Sequence, residues 1–212
     1  MDMFLAVLRG APFTLLLTVV AFVLGAVGGI PLALARRSKF FPLRWIARSF
    51  IELLRGIPPI VWLFFIYFGL GTSFPQINAT MAAMVGLGAI SCAYMAEIYR
   101  GGLLAISNGQ WEAAEALGMD RKSVLSKVVG PQVFRVSVPA AATYAIGLLK
   151  DSSVSFTIGF TELTFFANEQ SRQSSAAILP FLYAAIIYMI MTIPCAWASR
   201  SLDARLRKRV AR

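Results

Sequence analysis

The chain has 212 residues, 58% of them apolar and 14% charged, with a formal net charge of +10. So few charges cannot cover a soluble core of this size, and so much apolar side chain is incompatible with disorder. With no histidine and two cysteines, the chain lacks the residues for His-based acid–base work, Ser-His or Cys-His nucleophiles and the usual zinc ligand sets.

Between Arg9 and Arg36 run 26 uncharged residues, roughly 39 Å as a helix and more than a bilayer core requires. Ala33-Leu34-Ala35 imitates a signal-peptidase site. The apolar region is too long for a signal peptide, however, and Arg36, Arg37 and Lys39 follow it, so a retained span is expected over 11–35. Gly25, Gly29 and Ala33 form a small-residue face suited to close packing in lipid, and Ala82 with Gly86 makes another. From Leu43 to Leu54 the charges Arg44, Arg48, Glu52 and, just beyond, Arg55 recur at intervals of three and four. This spacing predicts an interfacial helix that runs into the next span around Pro58-Pro59.

From Gly56 to Ala96 no charge appears for 41 residues, enough for two spans. The polar, Pro- and Gly-bearing stretch 71–78 divides them into 57–71 and 79–96. Residues 97–127 carry charges throughout and read as a loop. A further apolar stretch, broken by Arg135, gives a span over 131–150, and the 27 uncharged residues between Arg172 and Arg200 give a last one over 175–198. Cys92 and Cys195 lie inside apolar runs and read as small apolar helix residues. The expectation is an all-α integral membrane protein, one transmembrane domain over 1–212 with five transmembrane helices.

Seventeen of the 20 basic residues fall in three blocks: between spans one and two, between spans three and four, and in the tail. With five spans this asymmetry predicts the N-terminus outside and the C-terminus cytoplasmic. Blocks alternating with apolar runs are unlike a DNA-binding face, so no nucleic-acid partner is expected. Five thin spans cannot readily enclose a pathway, so a dimer is expected, surrounded by membrane lipid.

Lys150 lies 15 residues beyond Arg135, roughly 22 Å along a helix and in the outer half of a core about 30 Å thick. Charges at that depth need partners or a watery cavity, and Lys150 and Asp151, being adjacent, cannot face each other. With Ser152 and Ser153 they suggest a broken, pathway-lining segment; the competing reading is a snorkelling lysine and a capping aspartate.

The stretch 100–131 is the most informative. Ser107 with Gln110 fits a capping box, Gln110 to Leu117 is rich in helix formers, Gly118 suits a positive-φ C-cap, and Asp120 can cap a helix from Arg121. A short helix outside the membrane follows, hinged at Gly118. On local physics it is either a passive loop or a device that transmits force to a partner.

Glu112-Ala113-Ala114, Gly118, Val128 and Pro131 at their observed spacing resemble the EAA loop of ABC importer permeases, with Gly130-Pro131 where the family usually has Leu-Pro. Thr14-Leu15, the segment Glu52 to Pro58, Tyr94 to Gly102, Gly109-Gln110, Leu149 to Val154 and Glu162-Leu163 are similar to the polar amino acid uptake subfamily. That subfamily generally has Thr-Ser-Leu where this chain has Ser152-Ser153-Val154. The resemblance implies the type I importer permease fold in a bacterial cytoplasmic membrane. It implies two permease and two ATPase subunits, an external substrate-binding protein and a polar amino acid as substrate. Gln110, Glu112, Ala113, Ala114 and Gly118 are the expected ATPase-coupling residues. Tyr94, Glu97, Lys150, Asp151, Ser152, Ser153 and Glu162 are the candidates for the translocation pathway or its gate. The chain contains no Gly-x-x-x-x-Gly-Lys-Ser/Thr loop, so it is expected to be no enzyme, with ATP and Mg on the partner ATPase and no cofactor or metal of its own. The competing class is a channel or ion-coupled carrier that needs no ATPase, for which the charges Lys150, Asp151 and Glu162 speak.

Overall fold

The computed structural model describes residues 2–210, with backbone alone from 202 onward. The tail residues Arg205, Arg207, Lys208 and Arg209, counted above for orientation, have their side chains outside this description, and Arg212 lies outside the described residues altogether. Among the described residues, nine helical segments follow in order: α1 (Met3–Leu8), α2 (Ala11–Arg36), α3 (Phe41–Gly56), α4 (Pro59–Ser73), α5 (Ala79–Leu104), α6 (Asn108–Ala116), α7 (Arg121–Ile158), α8 (Leu163–Gln173) and α9 (Leu179–Val210). Four of these, α1 with α2, α5, α7 and α9, are long and apolar enough to cross a membrane. The pair α3 and α4 makes a fifth, bent by 103° at its break.

That bend sits where Pro58 and Pro59 interrupt the ladder. Ile57 and Pro58 are extended, and Pro59 opens α4, where its missing N–H costs nothing. α3 therefore lies across the end of the bundle. Ala47, Ile51 and Leu54 are its buried stripe, while Arg44 and Arg48 are exposed.

The centre of the molecule is the α2–α5 pair. A β-carbon on Gly25 would sit 2.0 Å from Ser91 Oγ, and one on Gly29 would sit 2.7 Å from Met95 Cβ. Contacts that short leave no room for any side chain, so the two backbones touch along the Gly25–Gly29 face. Gly86, on another face of α5, takes the side chain of Leu63 from α4. Leu17, Ala21, Leu63, Leu87, Ile90 and Leu148 fill the space among α2, α4, α5 and α7. α1, α8 and α9 form a satellite around Val7, Leu163, Ala167 and Ile187. Outward-facing side chains such as Val27, Phe134 and Trp197 remain exposed, as the lipid-facing side of a membrane bundle requires.

Three elements differ from the sequence expectation. α5 continues to Leu104 rather than ending near Ala96, because Glu97 and Arg100 are paired and need not leave the helix. α7 starts at Arg121, with wide i→i+5 turns over Val124–Val129 ahead of the apolar stretch. The 152–158 segment is not unwound but tightened into a 3₁₀ helix, in which Ser152, Ser155 and Thr157 each donate to the carbonyl three residues back at 2.6–2.7 Å. Gly159, at φ 87°, ends it. The short α1 and the amphipathic α8 carry no apolar run long enough to announce themselves.

Replacing Gly29 by leucine should separate α2 from α5 and destabilise the fold by about 1–3 kcal/mol. The thermal midpoint in detergent reads this directly; Gly101→Leu, where a β-carbon meets nothing within 4 Å, is the matched control and should leave the midpoint unchanged.

Candidate functional site

Two devices occupy the basic end of the bundle. The first is α6 and its turns. Ser107 is the extended N-cap, and the amide of Gln110 donates to its backbone carbonyl at 3.1 Å. The Ser107 hydroxyl makes no cap bond, so the expected capping box does not form. The Gln110 side chain instead accepts from Gln132 Nε2 of α7 at 3.0 Å. Ala114 is buried against Leu103, Val124, Val129 and Val133, with Trp111 and Met119 packed alongside. Glu112, Ala113, Glu115 and Leu117 are exposed, and Leu117 keeps 80% of its surface free.

α6 ends in a Schellman motif. Gly118 takes φ +72° and donates to the Glu115 carbonyl at 2.9 Å, while Met119 donates to that of Ala114 at 3.1 Å. Asp120 then caps α7, accepting from the amides of Lys122 and Ser123 at 3.1 and 3.2 Å. The Ser123 donors, with the Lys122 amide, hold its carboxyl below the usual carboxylate range. The cap therefore persists at neutral pH and is lost only on acidification through that lowered value. Two hydrogen-bonded turns thus join α6 to α7 with no slack residue between them.

The second device is an ion cluster on Glu97. Its carboxylate accepts from Arg36 of α2 at 2.5 Å and from Arg100 at 2.9 and 3.0 Å, and Arg55 of α3 lies 3.9 Å away. Arg36 also reaches Glu52 at 3.4 Å. With 14% of its side chain exposed, Glu97 is close to buried, and such a charge is tolerated only because it is paired. One turn earlier on α5, Tyr94 lies under the Arg55 guanidinium at 5.0 Å and stacks on Tyr144 of α7 with centroids 5.0 Å apart. Arg37, next to the cluster, stands 5.9 Å over the ring of Trp111, which brings the end of α2 up to α6.

The residues singled out in the sequence fall into separate places. Gln110, Glu112, Ala113, Ala114 and Gly118 share α6 and its C-cap. Tyr94 and Glu97 meet in the ion cluster. Lys150 and Asp151 are exposed at the far end of α7, Ser152 is buried, and Ser153 is half-buried. Glu162 is fully buried in a third group, where it N-caps α8 by accepting from the Phe165 amide at 3.0 Å and receives the Tyr188 hydroxyl of α9. Thr14 of α2 accepts from the Leu163 amide there at 3.2 Å. Sequence reasoning missed Arg36, Arg55 and Arg100 as partners of Glu97, and Trp111, Leu117, Tyr144 and Tyr188 altogether. One signal was available: Glu97 is the single acid between Glu52 and Glu112, so the neighbouring arginines had no other acid to meet.

Residues 21–208 match the family model of the binding-protein-dependent transport system inner membrane component. The chain is 34% identical over 208 residues to the L-cystine transport system permease protein TcyB of Bacillus subtilis, covering 96% of this chain and 87% of that one. It is 32% identical over 202 residues to the arginine transport system permease protein ArtQ of the same organism, covering 95% and 92%. A solved chain of an amino acid ABC transporter with histidines superposes with a TM-score of 0.88 at 34% identity, over 94% of both chains. The chain belongs to the family of binding-protein-dependent transport system inner membrane components.

Gly118→Val should cost about 1–2 kcal/mol, because a β-branched residue resists the left-handed region, whereas Gly118→Asn should be close to neutral. A β-carbon there meets nothing within 4 Å, so only backbone strain separates the two variants, and protease nicking of the 117–120 turn measures it. Glu97→Ala leaves three guanidiniums without their shared acceptor and should cost about 2–3 kcal/mol. Increased cysteine reactivity at positions 51 and 54, as α3 lifts from α2 and α5, would report that loss.

Proposed function

We propose that this chain is the permease subunit of an ATP-driven importer that moves a polar amino acid into the cytoplasm of a bacterial cell, with the basic end of the bundle on the cytoplasmic side of the inner membrane. The observation that carries the reading is the two-sidedness of α6. Trp111 and Ala114 fix one face to the bundle, while Glu112, Ala113, Glu115 and Leu117 offer the other to a partner. An 80% exposed leucine off the membrane spans has no purpose within the chain and suits a groove on a cytoplasmic ATPase.

On this reading ATP and Mg bind the partner ATPase, whose dimer closure displaces α6; the bonded turns at Gly118 and Asp120 pass the displacement to α7. A second permease subunit, identical or paralogous, completes the pathway, and an external binding protein delivers the substrate. The related permeases named above serve cystine and arginine, which differ in side-chain charge and share the α-amino acid group. That common group supports the substrate class and leaves side-chain choice to the binding protein. Tyr94, Glu97, Lys150, Asp151, Ser152, Ser153 and Glu162 are proposed to line or gate the path. Ser152 and Glu162 would act through helix packing, since both are buried in it.

Glu112→Lys and Leu117→Asp should each lower ATP-dependent amino acid uptake into proteoliposomes by roughly tenfold or more, as loss of an interface anchor does. Both variants should insert and bind the second permease normally. Uptake at the unmodified rate in both would remove the coupling role from α6, and uptake that persists without the ATPase would instead support an ion-coupled carrier.

A further inference from the structure

An open groove of about 710 Å³ runs between α2 and the start of α7, lined by Val27, Ile30, Ala33, Tyr99, Val133 and Phe134. At its basic end it continues, through shared walls at Leu34, Leu103 and Leu125, into a second hollow of about 340 Å³ bounded by Arg37, Arg121, Asn108 and Trp111. Lys122 also lines the first groove. The floor of the first is apolar along its length, and the second carries Arg37 and Arg121.

Three features decide what fits. From Ala26 to Leu34 the groove follows α2 for roughly 12 Å, against about 15 Å for half of a bilayer core. Its apolar length is therefore that of one leaflet. Among the described residues, no carboxylate lies within ion-pair distance of Arg37, Arg121 or Lys122. The nearest acid in sequence, Asp120, is engaged by the amides of Lys122 and Ser123. Finally, the mouth lies under the inner face of α6, beside Trp111, while the exposed Glu112 and Leu117 point to the other side. A second copy of this chain would bring its own cations to the mouth; a cytoplasmic protein would not enter an apolar slot at membrane depth.

We infer that this groove binds one anionic phospholipid of the cytoplasmic leaflet, an acyl chain lying along α2 and the phosphate held by Arg37, Arg121 and Lys122 beneath α6. The inference rests on the orientation proposed above. A phosphate between α2 and α7 neutralises cations that would otherwise repel across the hollow, and so steadies the seat of α6 from the side the ATPase does not touch.

The test uses the assembled permease–ATPase complex in nanodiscs of phosphatidylcholine doped with phosphatidylglycerol, with retained lipid counted by native mass spectrometry. The unmodified complex should keep phosphatidylglycerol in preference to phosphatidylcholine. Arg37→Gln with Lys122→Gln should weaken retention by roughly tenfold or more. Ile30→Trp, which fills the groove and leaves every cation in place, should abolish it as well. Water-soluble glycerol 3-phosphate should not displace the lipid. Retention unchanged in either variant, or equal competition by glycerol 3-phosphate, overturns the proposal, as does capture of a second permease chain by a photo-crosslinker at Val27. Glu112→Lys should retain the lipid fully while losing coupling, so failure of the lipid site and failure of the transport reading give different results.

Discussion

The ion cluster on Glu97 hangs on the backbone contact between α2 and α5. In lipid there is no hydrophobic force drawing two apolar helices together, so close approach and packing must do it. The chain supplies that with Gly25, Gly28 and Gly29 facing Ser91, Cys92, Met95 and Ala96. Polar contacts then fix the register along the seam: the Cys92 thiol donates to the Leu24 carbonyl at 3.2 Å and the Tyr99 hydroxyl to that of Ala26 at 3.0 Å. Glu97 follows directly on α5, and Arg36 ends α2. Their bond exists because the seam sets how far each helix extends past the other.

The two ends solve the problem of a buried carboxylate in different ways. Glu97 sits where the arginines of three helices converge, and its charge is matched by theirs. Glu162 is more deeply buried, and its acceptors are filled by the Phe165 amide and the Tyr188 hydroxyl. Gly10 belongs to this second solution. A β-carbon there would sit 2.5 Å from the Leu163 amide nitrogen, so the start of α2 can reach α8 only without one. The first arrangement joins helices through charges that partly meet water; the second joins α2, α8 and α9 through neutral donors in a buried setting, where an unfilled acceptor costs most.

The sequence made legible whatever depends on local rules. Uncharged runs located the long apolar helices, Gly118 and Asp120 located the turns around α6, and the three- and four-residue spacing of charges located α3. Helix ends at charged residues were misread, since Glu97 and Arg100 look like loop residues until their partners from α2 and α3 are in view. The serines of 152–155 were read as a break because hydroxyls can satisfy freed carbonyls; here they bond back within a tighter helix, a choice that depends on their burial. Trp111 within α6 and Leu117 at its C-cap are six positions apart and differ in role only through which face the Ala114 contacts turn inward. No periodicity in so short a helix distinguishes them.

The construction around Gly118 bears on how force moves through such a protein. A glycine between two helices invites the word hinge, and a hinge would absorb a push on α6. The amides of Gly118 and Met119 are both bonded back into α6, and those of Lys122 and Ser123 are held by Asp120. Positive φ at Gly118 is therefore the condition for a closed turn. Such a turn changes the chain's direction without giving it freedom, and α6 is further tied to α7 by Gln110 with Gln132 and by the packing of Ala114. The compliant part lies beyond, in the wide turns over Val124–Val129, where the backbone ladder is already irregular. On the proposed reading, a displacement of α6 would reach α7 intact and be taken up in those turns.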